Sequence, residues 1–366
     1  MNEASIIRPD ERASLLLREL YHRHGYSPYR MSKFEEYDLY VRNKSFLVSD
    51  SILTFTDTDG RLMALKPDVT LSIVKNTPDA VGALQKVCYN ENVYRTSPAA
   101  IGYREIMQTG LECIGDLDLF SMGEVVSLAE ESLSLISQDY LLDLSHIGFV
   151  SGLLEGVEES ARTALLSEIG RKNVPAIHAL CAQFGLPCDL ADRLGQLAML
   201  YGPPSAVLPR LEELAANAPS QAALEELRQL CQLLETMGRT QRLRLDFSIV
   251  NDMSYYNGVI FRGYLPDLAS GVLSGGRYDN LLRRMGKRGG AIGFAVYLDQ
   301  LDRLEEDGAA YDADVLLLYG GEDDPAAVME RAAALRAQGL TVRAERGVPP
   351  GLRCRTLERM PEGGGI

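Results

Sequence analysis

The sequence contains no tryptophan and only four histidines in 366 residues. So few histidines make a His-based metal centre or acid–base cluster improbable. The six cysteines form no CxxC pair; the nearest two, Cys181 and Cys188, have six residues between them. That scatter fits reduced core or surface thiols of a cytosolic protein, with neither a disulfide framework nor a zinc site. No apolar run approaches the ~18 residues of a membrane span, and acidic residues appear by position 11 where a signal peptide would be apolar. A basic surplus is also missing. The formal charge is −14 and the pI near 4.9, which argues against general nucleic-acid binding, although a local basic groove can hide in an acidic protein. There is no Walker loop, GxSxG or HExxH, and GGEDDP (320–325) is a turn and helix start. No metal or cofactor is expected.

An apolar share of 46% is ample for large cores, and the length suits two or three domains. An amphipathic helix opens the chain, from Pro9 and Asp10 to Gly25, with Ala13, Leu16, Leu17, Leu20 and Tyr21 apolar and His22 and His24 in its last turn. Short strands and turns follow: Phe46–Val48, Leu53–Phe55, a turn at Asp57–Gly60, a helix after Pro67, and a strand–loop–strand unit from Val87 to Ile114. Residues 121–240 read as almost entirely helical, broken at Pro203-Pro204 and Asn217–Pro219. His146 and His178 sit among apolar neighbours and are expected at core or boundary positions. A sheet pattern returns at Arg244. From Asp312 a buried-strand pattern (Ala313–Tyr319), a helix (Pro325–Gln338) and a second strand (LTVRAE) suggest a small α/β unit, too short to be robust alone. The expected division is 1–120 with 241–308 as one discontinuous domain, 121–240 as a helical segment, and 309–366 as the small unit.

The most informative segment is RLDFSIVNDMSYYNGVIFRGYL (244–265). It is built as a strand, a polar turn, a tyrosine pair and a second strand from Val259. Tyr255, Tyr256 and Asn257 put polar tips at a strand entrance, where amphipathic rings suit a small ligand. This segment resembles the histidine-specific signature of class II histidyl-tRNA synthetases, in which an Arg-Gly precedes the tyrosine pair. Asn251 and Asp252 occupy those two places here. Three more segments extend the likeness in order: ALKPDVT (64–70), YRTSPAAIGYREIMQTGLECIG (94–115) and GGRYDNLL with AIGFAVYLDQL (275–301). The fold implied is α+β: a class II synthetase-like antiparallel sheet flanked by helices. It would carry a helical insertion and a C-terminal unit like a truncated anticodon-binding domain. It would be dimeric through a first motif near Tyr29–Tyr40, where Ser32 replaces a proline.

By this resemblance Asp68, Thr70 and Gln108 would hold the α-amino group of histidine. Arg95 would meet the α-carboxylate, which a planar guanidinium suits bidentately. Glu112 with Tyr255 or Tyr256 would satisfy the two imidazole nitrogens, each a donor or an acceptor. The nucleotide half departs from the synthetase pattern. Ser97 stands for a glutamate, Ile106 for an aromatic, Asn251 for an arginine, Asp299-Gln300 for Glu-Arg, and Tyr297 for a small residue. Losing one preorganised donor costs ~3 kcal/mol of transition-state stabilisation, so two lost arginines would cost roughly 10⁴-fold.

The whole pattern resembles the regulatory subunits of ATP phosphoribosyltransferase, paralogues of the synthetase that lack aminoacylation. That resemblance implies a cytoplasmic, non-catalytic protein, a homodimer within a hetero-oligomer, with no nucleic-acid or membrane partner. It would activate the short-form catalytic subunit and mediate feedback by L-histidine at the first step of histidine biosynthesis. An active histidyl-tRNA synthetase and a free-standing histidine-sensing protein are the alternatives.

Overall fold

The computed structural model describes residues 7–43, 47, 52–78, 82–97, 100–249, 255–303 and 311–361, with the side chains at 96, 97, 100, 101, 302 and 303 outside that description. Two compact units are present. One spans Ala13–Arg303; the other comprises Leu304–Ile366 with Met1–Arg12.

The larger unit is organised by one nine-stranded sheet. Near one edge it carries a long hairpin, Leu84–Ser97 and Ala100–Gly115. Outward from the second hairpin strand follow Gly290–Tyr297, Leu273–Arg277, Val259–Tyr264, Leu141–His146, Leu243–Asp246 and Tyr201–Gly202; Ser27–Pro28 flanks the first hairpin strand. Pairing is antiparallel except at Ser27–Pro28 with the hairpin and Leu141–His146 with Leu243–Asp246. A separate three-stranded antiparallel sheet joins Phe34–Glu36, Leu62–Leu65 and Thr54–Thr56. The fold is therefore α+β, as anticipated.

The first helix, Pro9–Arg23, places acids in its first turn and His22 and Arg23 in its last, matching the helix dipole. Ala13, Leu17 and Tyr21, four apart, form its buried stripe. In the helical stretch the breakers act as starts. Pro204 opens the helix Pro204–Leu214, and Asn217 caps Ala218–Thr236 reciprocally with Ser220. One expectation fails here: Leu141–His146 is a strand. It is paired on both sides and five of its six residues are buried. A strand buried on both faces loses its alternation and reads as more helix. His178 is also misplaced by the sequence, since it lies on the exposed face of Val174–Gln183, 3.8 Å from Asp192. None of the described helices is long and apolar enough to cross a membrane.

The smaller unit has a parallel three-stranded sheet with Ala313–Leu318 between Val342–Glu345 and Cys354–Arg359. Leu317 packs with Val328 and Ala332 of the helix Pro325–Ala337. The third strand, RCRTLER-like in charge and exposed, gave no apolar signal.

Candidate functional site

Pro67 ends the strand Leu62–Leu65 and turns the chain into a short helix, Thr70–Asn76. Asp68 Oδ1 accepts from the Leu71 amide at 2.8 Å, satisfying one of the helix's free N–H groups. The helix is tied at several points. Glu35 accepts from Ser72 Oγ and Lys75 Nζ, each at 2.9 Å. Lys287 Nζ donates to the carbonyls of Val74, Lys75 and Thr77 at its C-terminal end. Asp68 and Thr70 are thus held on an anchored element.

On the second hairpin strand, Gln108, Gly110 and Glu112 share one face by the two-residue period. Glu112 lies opposite Gly293. A Cβ at Gly293 would stand 1.7 Å from Glu112 Oε2, so the carboxyl occupies space that only glycine leaves. Both Glu112 oxygens accept hydrogen bonds, from Thr70 Oγ1 at 2.8 Å and Tyr278 Oη at 2.5 Å. Burial pushes the Glu112 carboxyl up to about 8, against the pull of those two hydroxyls and with Asp68 adding to the rise. Burial likewise raises Asp68, which Arg95 and the helix amides partly offset. Arg95, buried on the first hairpin strand, donates from Nε to the Pro67 carbonyl at 2.7 Å; its Nη2 lies 3.8 Å from Asp68 Oδ2. Beside it the fully buried Lys66 pairs with Glu91 at 2.5 Å.

The tyrosine pair closes the site. The rings of Tyr255 and Tyr256 meet edge-on with centroids 4.7 Å apart, and Tyr255 lies 5.4 Å from Tyr278. Asp279 accepts from Arg277 Nε at 2.9 Å, from the Ala291 amide at 3.0 Å and from Asn257 Nδ2 at 3.3 Å. These bonds fix both neighbours of Tyr278. Asn257 therefore serves this turn, where the sequence had suggested a ligand-facing amide.

All seven residues singled out from the sequence, Asp68, Thr70, Arg95, Gln108, Glu112, Tyr255 and Tyr256, line one cavity of about 360 Å³. Tyr89, Arg262, Ser270, Ser274, Tyr278 and Tyr297 also line it and were not assigned to the site. Tyr278 stands in the GGRYDNLL segment between Arg277 and Asp279, which bind each other, and nothing in that pattern marks its hydroxyl as part of a site. Along the sheet from the Glu112–Gly293 pair, the lining continues through Ala295, with Ser274 opposite it and Arg262 opposite Ser274, to Tyr297 opposite Gln108; Ser270 and Gly271 also line the cavity. Gln300 accepts from Ser270 there at 2.7 Å. Ile106 is half-buried against the apolar cluster around Tyr40 and Val93. Asn251 and Asp252, and the side chain of Ser97, lie outside the described residues. No cluster of metal-ligating side chains occurs among the described residues. His146, buried, bonds Glu226 at 3.2 Å.

A family model described as histidyl-tRNA synthetase matches residues 7–301. A curated relative from Syntrophotalea carbinolica, named ATP phosphoribosyltransferase regulatory subunit, is 32% identical over 335 residues, covering 88% of this chain and 78% of the relative. The chain belongs to the ATP phosphoribosyltransferase regulatory subunit family. That is a family of regulatory rather than catalytic subunits, carried on the histidyl-tRNA synthetase fold. Among solved structures, an ATP phosphoribosyltransferase regulatory subunit/histidyl-tRNA synthetase from Bacillus halodurans C is 25% identical with a TM-score of 0.75, covering 96% of this chain and 93% of that one. The ATP phosphoribosyl transferase (HisG:HisZ) complex from Thermotoga maritima includes a chain of the same fold, at 19% identity and a TM-score of 0.61, covering 78% of this chain and 96% of that one. For a regulatory subunit, the small hydroxyls of Ser270 and Ser274 in the cavity, and the neutral Gln300 bonded to Ser270, are no handicap.

Proposed function

We propose that this chain binds L-histidine in the cavity around Glu112 and regulates a short-form ATP phosphoribosyltransferase, raising its activity in a hetero-oligomer and transmitting feedback by histidine. The observation that carries the reading is the convergence of Asp68, Thr70, Arg95, Gln108, Glu112, Tyr255 and Tyr256 on one cavity. Together they offer carboxylates for an α-ammonium, a guanidinium for an α-carboxylate, and paired polar groups for an imidazole. The named relative and the named complex support the choice of partner. The pairing surface of a homodimer is assigned to the Tyr29–Tyr40 region, and the protein to the cytoplasm. The division into a sheet domain, a helical segment 121–240 and an anticodon-domain-like tail from 309 belongs to the same reading.

A protein that only binds can act on a partner only through different affinity for two states of the complex. A typical coupling of ~1–3 kcal/mol gives roughly 5–150-fold control, and linkage makes it reciprocal. The test is co-purification with the short-form transferase, followed by its activity with and without histidine. Arg95→Ala should still assemble and activate, yet respond less to histidine. Full feedback in a variant that no longer binds histidine would place inhibition on the catalytic partner.

A further inference from the structure

Glu112 is unusual among the cavity's charged groups. Arg95 has a carbonyl and Asp68 beside it, and Asp68 has a helix amide. Glu112 instead has two hydroxyls, Thr70 from the helix side and Tyr278 from the turn. The groups that act on it from neighbouring elements are Asp68 and Thr70, Tyr89 on the adjacent strand, the buried Tyr26 beside that strand, Tyr255 and Tyr278; opposite it in the strand on its other side stands Gly293. The charged member of that shell is Asp68, another acid. Two hydroxyl donors are suited to an ionised carboxylate, yet the buried, cation-poor shell favours the neutral acid while the cavity is empty. A carboxylate has about four acceptor sites, so the two hydroxyls leave room for a ring N–H.

Resting on the reading that this cavity holds histidine, we infer that Glu112, braced by Tyr278 and Thr70, makes the site select a protonated imidazole and supplies the proton itself. The proton passes from the Glu112 carboxyl to a ring nitrogen. Glu112 becomes the carboxylate that both hydroxyls already address, the ring becomes imidazolium, and nothing is exchanged with solvent. Tyr278 is a positioning residue in this scheme.

Proton counting makes the inference testable. Free imidazole titrates near 6.5 and the empty site's Glu112 near 8. Between those values one proton is present before and after binding, so affinity is flat. Above about pH 8 a proton must be taken up, and the dissociation constant rises about tenfold per pH unit. Below about 6.5 a proton must be released, with the same slope.

The experiment is titration calorimetry of the whole protein with L-histidine from pH 6 to 8.8, in buffers of different ionisation enthalpy. At pH 7.2 the expected proton exchange is near zero. Glu112→Gln should bind more weakly at pH 7.2 and lose the weakening above pH 8; the ligand's α-amino group titrates equally in both proteins and cancels. Tyr278→Phe should move the upper break to higher pH, since it removes a donor that favours the carboxylate. Histidine labelled with ¹⁵N in the ring should give imidazolium shifts when bound at pH 7.5. Release of about one proton at pH 7.2, neutral-ring shifts, or an unchanged pH profile in Glu112→Gln would overturn the inference while leaving histidine binding intact. Absence of histidine binding by the wild type at every pH would instead remove the underlying reading, and the inference with it.

Discussion

The two ends of the cavity are built on different principles. Around Glu112 the side chains are charged, deeply buried and tied: Asp68 to a helix amide, Arg95 to a carbonyl, Glu112 to two hydroxyls, and Lys66 to Glu91 just behind. Around Ser270 the lining is short hydroxyls, glycine, alanine, Tyr297 and one arginine, Arg262, with the neutral Gln300 bonded to Ser270. Burying charge is tolerable only where each group has partners, so constraint concentrates at the Glu112 end. A small zwitterion with a polar ring can replace partners there with little rearrangement. The other end offers space and weak hydrogen bonds, but little fixed charge with which to stabilise a reacting phosphate. Recognition and chemistry are thus separable along one cavity.

The sharpest way to break the contrast is to remove a buried charge behind the Glu112 end. Lys66 is fully buried and Glu91 is its ion-pair partner. Lys66→Met would leave Glu91 without that partner and should cost about 3–5 kcal/mol of stability, read by urea unfolding. A loss below about 1 kcal/mol would mean that water or another group reaches Glu91. A smaller but more local effect is expected from Gly293→Ala. Its methyl would collide with the Glu112 carboxyl, and overpacking costs typically 1–3 kcal/mol. Histidine affinity should fall roughly 10–100-fold, measured by calorimetry, and unaltered affinity would show that Glu112 is not at the ligand.

Legibility in the sequence follows the same division. Asp68, Thr70, Gln108 and Glu112 were legible only through the likeness of ALKPDVT and YRTSPAAIGYREIMQTGLECIG to the synthetase segments; the structure adds that Gln108 and Glu112, four apart on one strand, share a face. Tyr278 could not be placed, because a tyrosine beside a turn usually packs. Only the three-dimensional approach of its hydroxyl to Glu112 reveals the role. Gly293 was equally silent, since a glycine in a strand signals close approach without saying by what. The strand Leu141–His146 and the exposed His178 were missed for opposite reasons. One is buried on all sides; the other is polar on a helix whose neighbours are apolar.

A third test concerns pH and the empty protein. The Glu112 carboxyl sits at about 8 when folded and near 4.3 when unfolded. Between these values the folded state holds a proton that the unfolded state lacks. Its stability contribution therefore falls as pH rises from about 4.3 to 8, by at most about 1.4 kcal/mol per unit. Unfolding of wild type and Glu112→Gln across this range should diverge, with the wild type losing ground as pH rises. Parallel curves would mean that Glu112 is already ionised in the empty site.

The smallest effect is expected at the neutral end. Ser270→Ala removes a hydrogen bond to Gln300 that a half-buried amide can replace with water, so stability should change by about 1 kcal/mol or less. The informative readout is histidine affinity, which should stay within about twofold of wild type because Ser270 stands apart from Asp68, Arg95 and Glu112, the charged groups assigned to the ligand. A Ser270→Ala variant with markedly weaker histidine binding would erase the distinction between the two ends: the ligand would then span the whole cavity, or Gln300 would be transmitting strain to the strand Gly290–Tyr297 and through Gly293 to Glu112. Combining Ser270→Ala with Gly293→Ala separates these cases. Additive effects mean independent contacts with a long ligand, whereas a coupling of about 0.5–3 kcal/mol means that the strand itself carries the signal.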